Sequence, residues 1–379
     1  MTGADGLLVL TSGDGADGDL AAALAEATSH PAHPPVLVLD PAGGDDLLRA
    51  TRRAVAAGDV GPGDLVLSTS GSTSRPRAVV RTSASWAASA RPLADLLDLG
   101  PGDVVGTAGP GASTLTLHAG WHALRVGART AGAGGRVPPV DSTVLHVVPA
   151  VLAAVLERHE HPHVRTVVVG GAGLDPRVRR SALDRGWRVV EYYGAAELSF
   201  VGIACHAPGP VETAEGFAPF PGAAVRVRDG LVEVASPYLA RSRLDATGTA
   251  TPVAGTAFAG VGDVGAALPA GRFAVLGRPG AVLSGGSTVL VAEVEHALRP
   301  HLPPGAEVVV CGTPHDRLGE VVTAVVVGVD AVPATLRAAT RSLPPAARPR
   351  RWLATGDVPR TGKGEPDRAA VARLAGGGR

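Results

Sequence analysis

Short apolar, β-branched runs that alternate with helical patterns constrain this chain more than any other feature. Leu7–Leu10 and Pro35–Asp40 read as buried strands, and Leu20–Ala27 between them has a helical pattern. A strand that is apolar throughout must be covered on both faces, and crossover helices do this in an α/β arrangement. The rhythm continues with a strand at Asp64–Thr69 and a helix at Trp86–Leu97 that ends before Gly100-Pro101. Strands at Leu145–Val148 and Arg165–Val169 flank a helix at Ala150–Arg158, and Trp187–Tyr192 is a further strand. From Gly222 to Val234 the pattern alternates around Asp229-Gly230, which predicts a hairpin, and Arg272–Leu276 is another strand. After Gly277 the character changes: helix Val291–Leu298, strands Glu307–Val310 and Val321–Val327, helix Ala334–Leu343, then a tail with a frayed end at Gly376–Arg379. A boundary near Pro279-Gly280 gives a large α/β N-terminal domain, 1–278, and a small α+β C-terminal domain, 279–379.

Composition narrows the function. The 379 residues carry 35 basic and 35 acidic side chains, so no charge excess points to nucleic acid or a membrane surface. Every candidate membrane-length apolar span is broken by Gly, Pro, Arg or Asp. Met1–Gly18 holds Asp but no Lys or Arg and makes a poor secretion signal. Cys205 and Cys311 lie far apart, without metal-ligand spacing. These features predict a cytoplasmic enzyme. The basic residues are Arg with one exception, Lys363. Such a bias, with abundant Ala, Gly and Pro, follows genome base composition, and it makes the single lysine worth following.

The strongest local signal follows the strand at Asp64–Leu67: Ser68-Thr69-Ser70-Gly71-Ser72-Thr73-Ser74-Arg75-Pro76-Arg77. Hydroxyls and backbone N–H groups in such a loop can surround phosphate oxygens, and Gly71 permits close approach. It lacks the G-K-S/T of a Walker loop. It resembles the T-S-G-S/T-T-G-x-P-K loop of the adenylate-forming enzymes (acyl-CoA synthetases, peptide-synthetase adenylation domains, luciferases), with Ser74 for Gly and Arg77 for Lys.

Further motifs of that family follow in order. Gly170-Gly171-Ala172-Gly173-Leu174 resembles the G-G-A-P-L turn, so the resemblance places Gly171 and Ala172 beside adenine. Tyr193-Gly194-Ala195-Ala196-Glu197 is similar to Y-G-x-T-E, with Ala196 for the threonine. There Tyr193 offers a face to adenine, Gly194 lets the backbone close on the nucleotide, and Glu197 offers a carboxylate to Mg²⁺. Gly262-Asp263-Val264-Gly265 resembles the motif whose Asp holds the ribose hydroxyls. Gly277-Arg278 matches the G-R before the family's hinge, and Arg278 joins the nucleotide contacts. Gly285-Gly286, followed by Ala292-Glu293-Val294-Glu295, resembles the segment bordering the CoA passage, and Val310–Glu320 matches a C-terminal-domain motif.

The resemblance implies an acid–thiol ligase that uses ATP, Mg²⁺ and CoA (or a carrier-protein thiol) on a small carboxylic acid. Chain length also suits an o-succinylbenzoate–CoA ligase. A homologue performing only the thioester step, and a non-enzymatic nucleotide- or partner-binding protein on this scaffold, are further readings. His118 and His122 around Trp121 read as helix packing, with the acyl pocket as the other role. His146, His161 and His163 lack a ligand set for metal, and no G-x-S-x-G elbow marks a hydrolase.

The tail departs from the family. Adenylation brings a carboxylate to the α-phosphate while charge grows on the leaving pyrophosphate, and a placed cation offsets both. Counting back three residues from Arg368 puts Glu365 where the family has that lysine. Either Lys363 serves from two positions earlier or the function is lost. Two variants separate these readings by pyrophosphate release. With a working Lys363, Lys363→Ala lowers release about 100-fold and Glu365→Lys changes little. With a lost lysine, Lys363→Ala is silent and Glu365→Lys raises release.

Overall fold

The computed structural model describes residues 6–11, 17–39, 44–69, 78–209, 215–253, 257–278, 280–360 and 366–377. Ser70, Gly71, Ser72 and Thr73 of the expected phosphate loop, and both Lys363 and Glu365, lie outside the described residues. The chain divides into two compact units, the break in the main chain falling between Gly277 and Arg278.

In the first unit, runs such as Val144–Val147 and Thr166–Val169 are buried at every residue, as strands covered on both faces must be. They lie in a seven-stranded sheet ordered Ala218–Pro219, Ser199–His206, Arg188–Ala195, Thr166–Val169, Val144–Val147, Val104–Gly106, Arg129–Ala131. The sheet is parallel from Arg188–Ala195 onward, and Ser199–His206 returns antiparallel beside it. A six-stranded sheet starts parallel with Leu8–Thr11, Val36–Leu39 and Asp64–Ser68. It continues antiparallel through Ala78–Thr82, Ser242–Leu244 and Ala250–Pro252. The expected hairpin forms with Asp229-Gly230 at its turn, inside a four-stranded antiparallel sheet that also holds Val264–Ala267 and Phe273–Gly277.

Two helices join these sheets. Ser83–Leu97 is capped by Thr82, whose hydroxyl accepts from Ser85 N–H, and Thr114–Arg125 is capped by Ser113 in the same way. Their buried Trp86 and Trp121 meet at 5.6 Å between ring centroids, inside a core shared with Leu65, Leu198 and Val234.

The second unit is a five-stranded sheet of Ser287–Leu290, Ala281–Ser284, Gly319–Val327 and Glu307–His315, with Arg351–Thr355 parallel to Gly319–Val327. Helix Val291–Leu298 covers it. Beyond the expected elements, the tail forms that last strand and a helix, Arg368–Gly376, capped by Asp367. The helix expected to reach Leu343 stops at Ala339 and tightens into a 3₁₀ turn over Thr340–Ser342. Pro344 explains the stop, because the residue before proline is pushed out of helical geometry.

One ion pair ties this unit together. Glu295 is 8% exposed and accepts from Val310 N–H at 2.8 Å. Arg368 grips the same carboxylate through both terminal nitrogens and donates to Val310 C=O at 2.8 Å. Leaving one partner buried without the other is costly. Arg368→Met is therefore expected to lower unfolding free energy by about 2 kcal/mol, and a joint Glu295→Met/Arg368→Met change by less than the sum of the single losses. Denaturant unfolding checks both; a loss below about 0.5 kcal/mol in Arg368→Met would contradict the assignment.

Candidate active site

The strand Arg188–Ala195 and its antiparallel neighbour Ser199–His206 are joined by a very tight turn. A Cβ on Gly194 would lie 2.1 Å from Ser199 C=O, so only glycine fits there. Ser199 takes φ of 59°, a left-handed value unusual outside glycine. Leu198 N–H closes the turn on Ala195 C=O at 3.0 Å. The turn therefore places Tyr193 and Glu197 at one end of an interior strand by backbone geometry alone.

Tyr193 Oη donates to Asp263 Oδ2 at 2.7 Å, although 70 residues separate them. Asp263 is 7% exposed, and its C=O accepts from Val232 N–H, which fixes it to the four-stranded sheet. Phe217 and Phe273 stand 6.2 and 6.0 Å from the Tyr193 ring centroid. Two residues singled out separately in the sequence are thus in direct contact. Gly171 and Ala172 occupy the bend after Thr166–Val169, a strand that pairs with Arg188–Ala195 in the same sheet. Thr69 is half-buried at the end of Asp64–Ser68, and Thr114 Oγ1, in the first turn of its helix, donates to Ser68 C=O at 3.4 Å.

Glu197 is held by two groups the sequence did not single out. Arg243 Nε donates to its Oε1 at 3.1 Å, and Ala240 N–H donates to its backbone C=O at 2.7 Å. Arg243 pairs with Val79 across the Ala78–Thr82 strand, which begins where residues 70–77 end. Arg81 lies two residues further along, completely buried. Burial lowers its pKa to about 9 while the Glu197 charge opposes the shift, so the guanidinium stays charged at neutral pH. Arg243 is 46 residues from Glu197 in sequence and Arg81 is 115 from Ala196, so only folding brings them to this turn.

In the second unit, Gly285 and Gly286 form the two-residue turn between Ala281–Ser284 and Ser287–Leu290, with φ of 56° and 87°. Two left-handed residues are what such a hairpin turn demands, so these glycines have a structural reason independent of any ligand. Arg278 is half-buried, and its C=O accepts from Ala281 N–H at 3.1 Å.

His118 and His122 do pack inside the core. His118 meets Trp86 edge-on at 5.0 Å and Phe200 at 5.1 Å, and His122 Nε2 lies 2.8 Å from Ala90 C=O. His146 Nε2 lies 3.3 Å from Tyr192 Oη. Burial pushes His122 down to about 4 and His146 down to about 3, the latter helped by His122. Burial also drives His118 well below its usual range, with His122, His146 and Arg81 adding to it. All three are neutral in the folded chain at pH 7. Among the described residues no group of three or more His, Cys, Asp or Glu could hold a metal, and no helix is long and apolar enough to cross a membrane.

Tyr193 thus touches Asp263, and the strand that carries Tyr193 runs into the Glu197 turn. Residues 4–236 match the AMP-binding enzyme family, and residues 293–365 match the AMP-binding enzyme C-terminal domain. A probable 2-succinylbenzoate–CoA ligase of Mycobacterium tuberculosis is 31% identical over 374 residues, covering 89% of this chain and 91% of that one. A malonyl-CoA ligase, solved with methylmalonyl-CoA and AMP bound, is 25% identical at a TM-score of 0.70, covering 94% of this chain and 91% of that one. An o-succinylbenzoate CoA synthetase from Bacillus subtilis shares the fold at a TM-score of 0.72 and 18% identity, covering 97% of this chain and 88% of that one. The chain belongs to the AMP-binding enzyme family, as an acid–thiol ligase of the adenylate-forming type.

The neutral histidines fix an acid limit. Their folded pKa values lie below the ordinary 6.5, so their contribution is complete above 6.5 and is lost as pH falls toward the folded values near 4 and 3. Each imidazole removes up to about 1.4 kcal/mol of stability per pH unit in that window. Urea unfolding between pH 7 and 4.5 should steepen accordingly, and His146→Gln should remove about one proton from the slope. An unchanged slope in that variant would show that His146 is already charged.

Proposed function

We propose that the chain is an ATP-dependent carboxylic acid–CoA ligase, working in the cytoplasm where both cosubstrates occur. The acid carboxylate attacks the α-phosphorus of ATP, an acyl-adenylate forms and pyrophosphate leaves. The CoA thiolate then attacks the acyl carbonyl, the thioester forms and AMP leaves. The observation that carries this reading is the 2.7 Å hydrogen bond from Tyr193 to Asp263 beside the Glu197 turn. It gathers an aromatic face and a ribose-binding carboxylate within one nucleotide's span.

The roles follow the motifs. Thr69, Ser70, Gly71, Ser72 and Thr73 hold phosphate oxygens, while Gly171, Ala172, Tyr193 and Gly194 line adenine. Asp263 holds the ribose hydroxyls, assisted by Arg278. Glu197 is the carboxylate for Mg²⁺, and one carboxylate suits this cation because phosphate oxygens and water complete its shell. When bound, Mg²⁺ neutralises charge on the triphosphate. Lys363 is the candidate cation for the leaving pyrophosphate, and Gly285-Gly286 borders the CoA arm. We take 1–278 as the nucleotide- and acid-binding domain and 279–379 as the domain carrying the thiol-side residues. A carrier-protein thiol is the other acceptor of the same chemistry.

A second reading, that the acid is 2-succinylbenzoate, is favoured by the Mycobacterium tuberculosis relative, which matches along nine-tenths of both chains.

Pyrophosphate release measured over a panel of acids that includes 2-succinylbenzoate, with thioester followed by mass spectrometry, tests the assignment. One acid is expected to give both products. Asp263→Ala should then raise the KM for ATP by about tenfold or more while leaving the KM for CoA unchanged. Thioester made only from synthetic acyl-AMP would instead mark an enzyme limited to the second step. No turnover in either assay, with AMP still bound, would mark a binding protein.

A further inference from the structure

Arg81 is 0% exposed, and its charge is the deepest in the described part of the chain. Burying a guanidinium is expensive unless its donors are satisfied and its charge is answered. Among the described residues no carboxylate lies within ion-pair distance of it, and its Nε finds no acceptor. Its other partners are neutral and fall on two segments only. One terminal nitrogen donates to Ser199 Oγ at 3.3 Å, and the other to Ala196 C=O at 3.2 Å and Tyr238 C=O at 3.1 Å. The Trp86 ring lies beneath it at 5.7 Å.

Ala196 and Ser199 bracket Glu197, and Ser199 is the residue held at φ of 59°. Tyr238 lies just before Ala240, whose N–H holds the Glu197 carbonyl at 2.7 Å. Arg81 thus clamps the turn on both sides of the carboxylate from a strand that starts at Ala78, directly after the expected phosphate loop. A neutral amide, with two N–H donors, could make two of these three hydrogen bonds. What only a cation adds is a fixed positive potential behind Glu197. We infer that Arg81 is a positioning residue for adenylation: it fixes the Glu197 turn and sets the field in which Glu197 and the triphosphate's metal meet. The inference rests on the ligase reading and adds to it a residue that the sequence did not single out.

The test uses the full chain with Arg81→Gln, which keeps two N–H donors and loses charge, and Arg81→Lys, which loses the fork and, at a fully buried position, most of its charge at pH 8. Calorimetry of ATP with and without Mg²⁺ supplies a readout independent of turnover. In Arg81→Gln, pyrophosphate release should fall about 100-fold in kcat, while thioester formation from synthetic acyl-AMP falls less than about threefold. The gain in ATP affinity that Mg²⁺ gives the wild type should grow by about threefold or more in the same variant, because the lost positive charge weakens metal-free ATP most. At pH 8 Arg81→Lys, its buried amine neutral, should fall in kcat to within about threefold of Arg81→Gln. Equal losses in both half-reactions, or an unchanged Mg²⁺ gain in Arg81→Gln, would overturn the inference and leave the ligase reading standing. So would failure of both variants to fold, which makes Arg81 a determinant of the fold alone. A wild-type chain that neither binds nucleotide nor releases pyrophosphate would overturn the ligase reading itself, and this inference with it.

Discussion

The turn between Arg188–Ala195 and Ser199–His206 is the constraint on which the candidate site depends. Its close approach of Gly194 to Ser199 C=O admits no side chain, and Ser199 adopts a conformation that an isolated serine seldom takes. Surrounding structure must hold such a turn. It is held by Arg81 from one sheet and by Ala240 N–H from the segment leading into the Ser242–Leu244 strand. The same turn ends the strand that carries Tyr193, so the aromatic ring and the acidic residue share one rigid origin. A site built in this way is precise because strand geometry fixes it, without long side chains finding each other in solvent.

A second consequence concerns the Glu197 charge. The carboxylate contacts Arg243 and feels Arg81, so the folded chain has already answered it with positive charge. A carboxylate at a strand end without such partners would repel an anionic ligand. The two guanidinium groups reduce that repulsion. They come from neighbouring strands of the six-stranded sheet, Ala78–Thr82 and Ser242–Leu244.

Much of this was legible in the sequence. Apolar β-branched runs give strands that need cover on both faces, and ordered glycine-rich turns mark where backbone meets ligand. The parallel strands, the Asp229-Gly230 hairpin and the helix Val291–Leu298 are all of this kind. What stayed hidden has particular causes. Ala78–Thr82 contains an arginine, and arginine in a short strand ordinarily signals solvent; here Arg81 is buried by contacts with Ala196 and Tyr238, more than 100 residues away. Arg243 meets Glu197 across a strand pairing that no local pattern encodes. The tail helix Arg368–Gly376 is too short and too weakly patterned to announce itself, and is fixed by Asp367 at its cap and Arg368 on Glu295. In the opposite direction, the sequence singled out Gly285 and Gly286 for a ligand passage without revealing that they also form a left-handed hairpin turn.

The near-absence of lysine gains a physical meaning once Arg81 is placed. An ammonium group taken fully out of water loses its proton readily, and buried lysines fall by several pH units. A guanidinium starts so much higher that even the shift caused by complete burial leaves it near 9, still charged at neutral pH. A composition bias arising at the level of the genome therefore allows the fold to place a permanent cation in its core. Lys363, the one exception, lies between two glycines in the tail. A compact point charge on a flexible stem is suited to meeting charge that develops only during reaction, whereas a planar fork is suited to holding a turn that must not move.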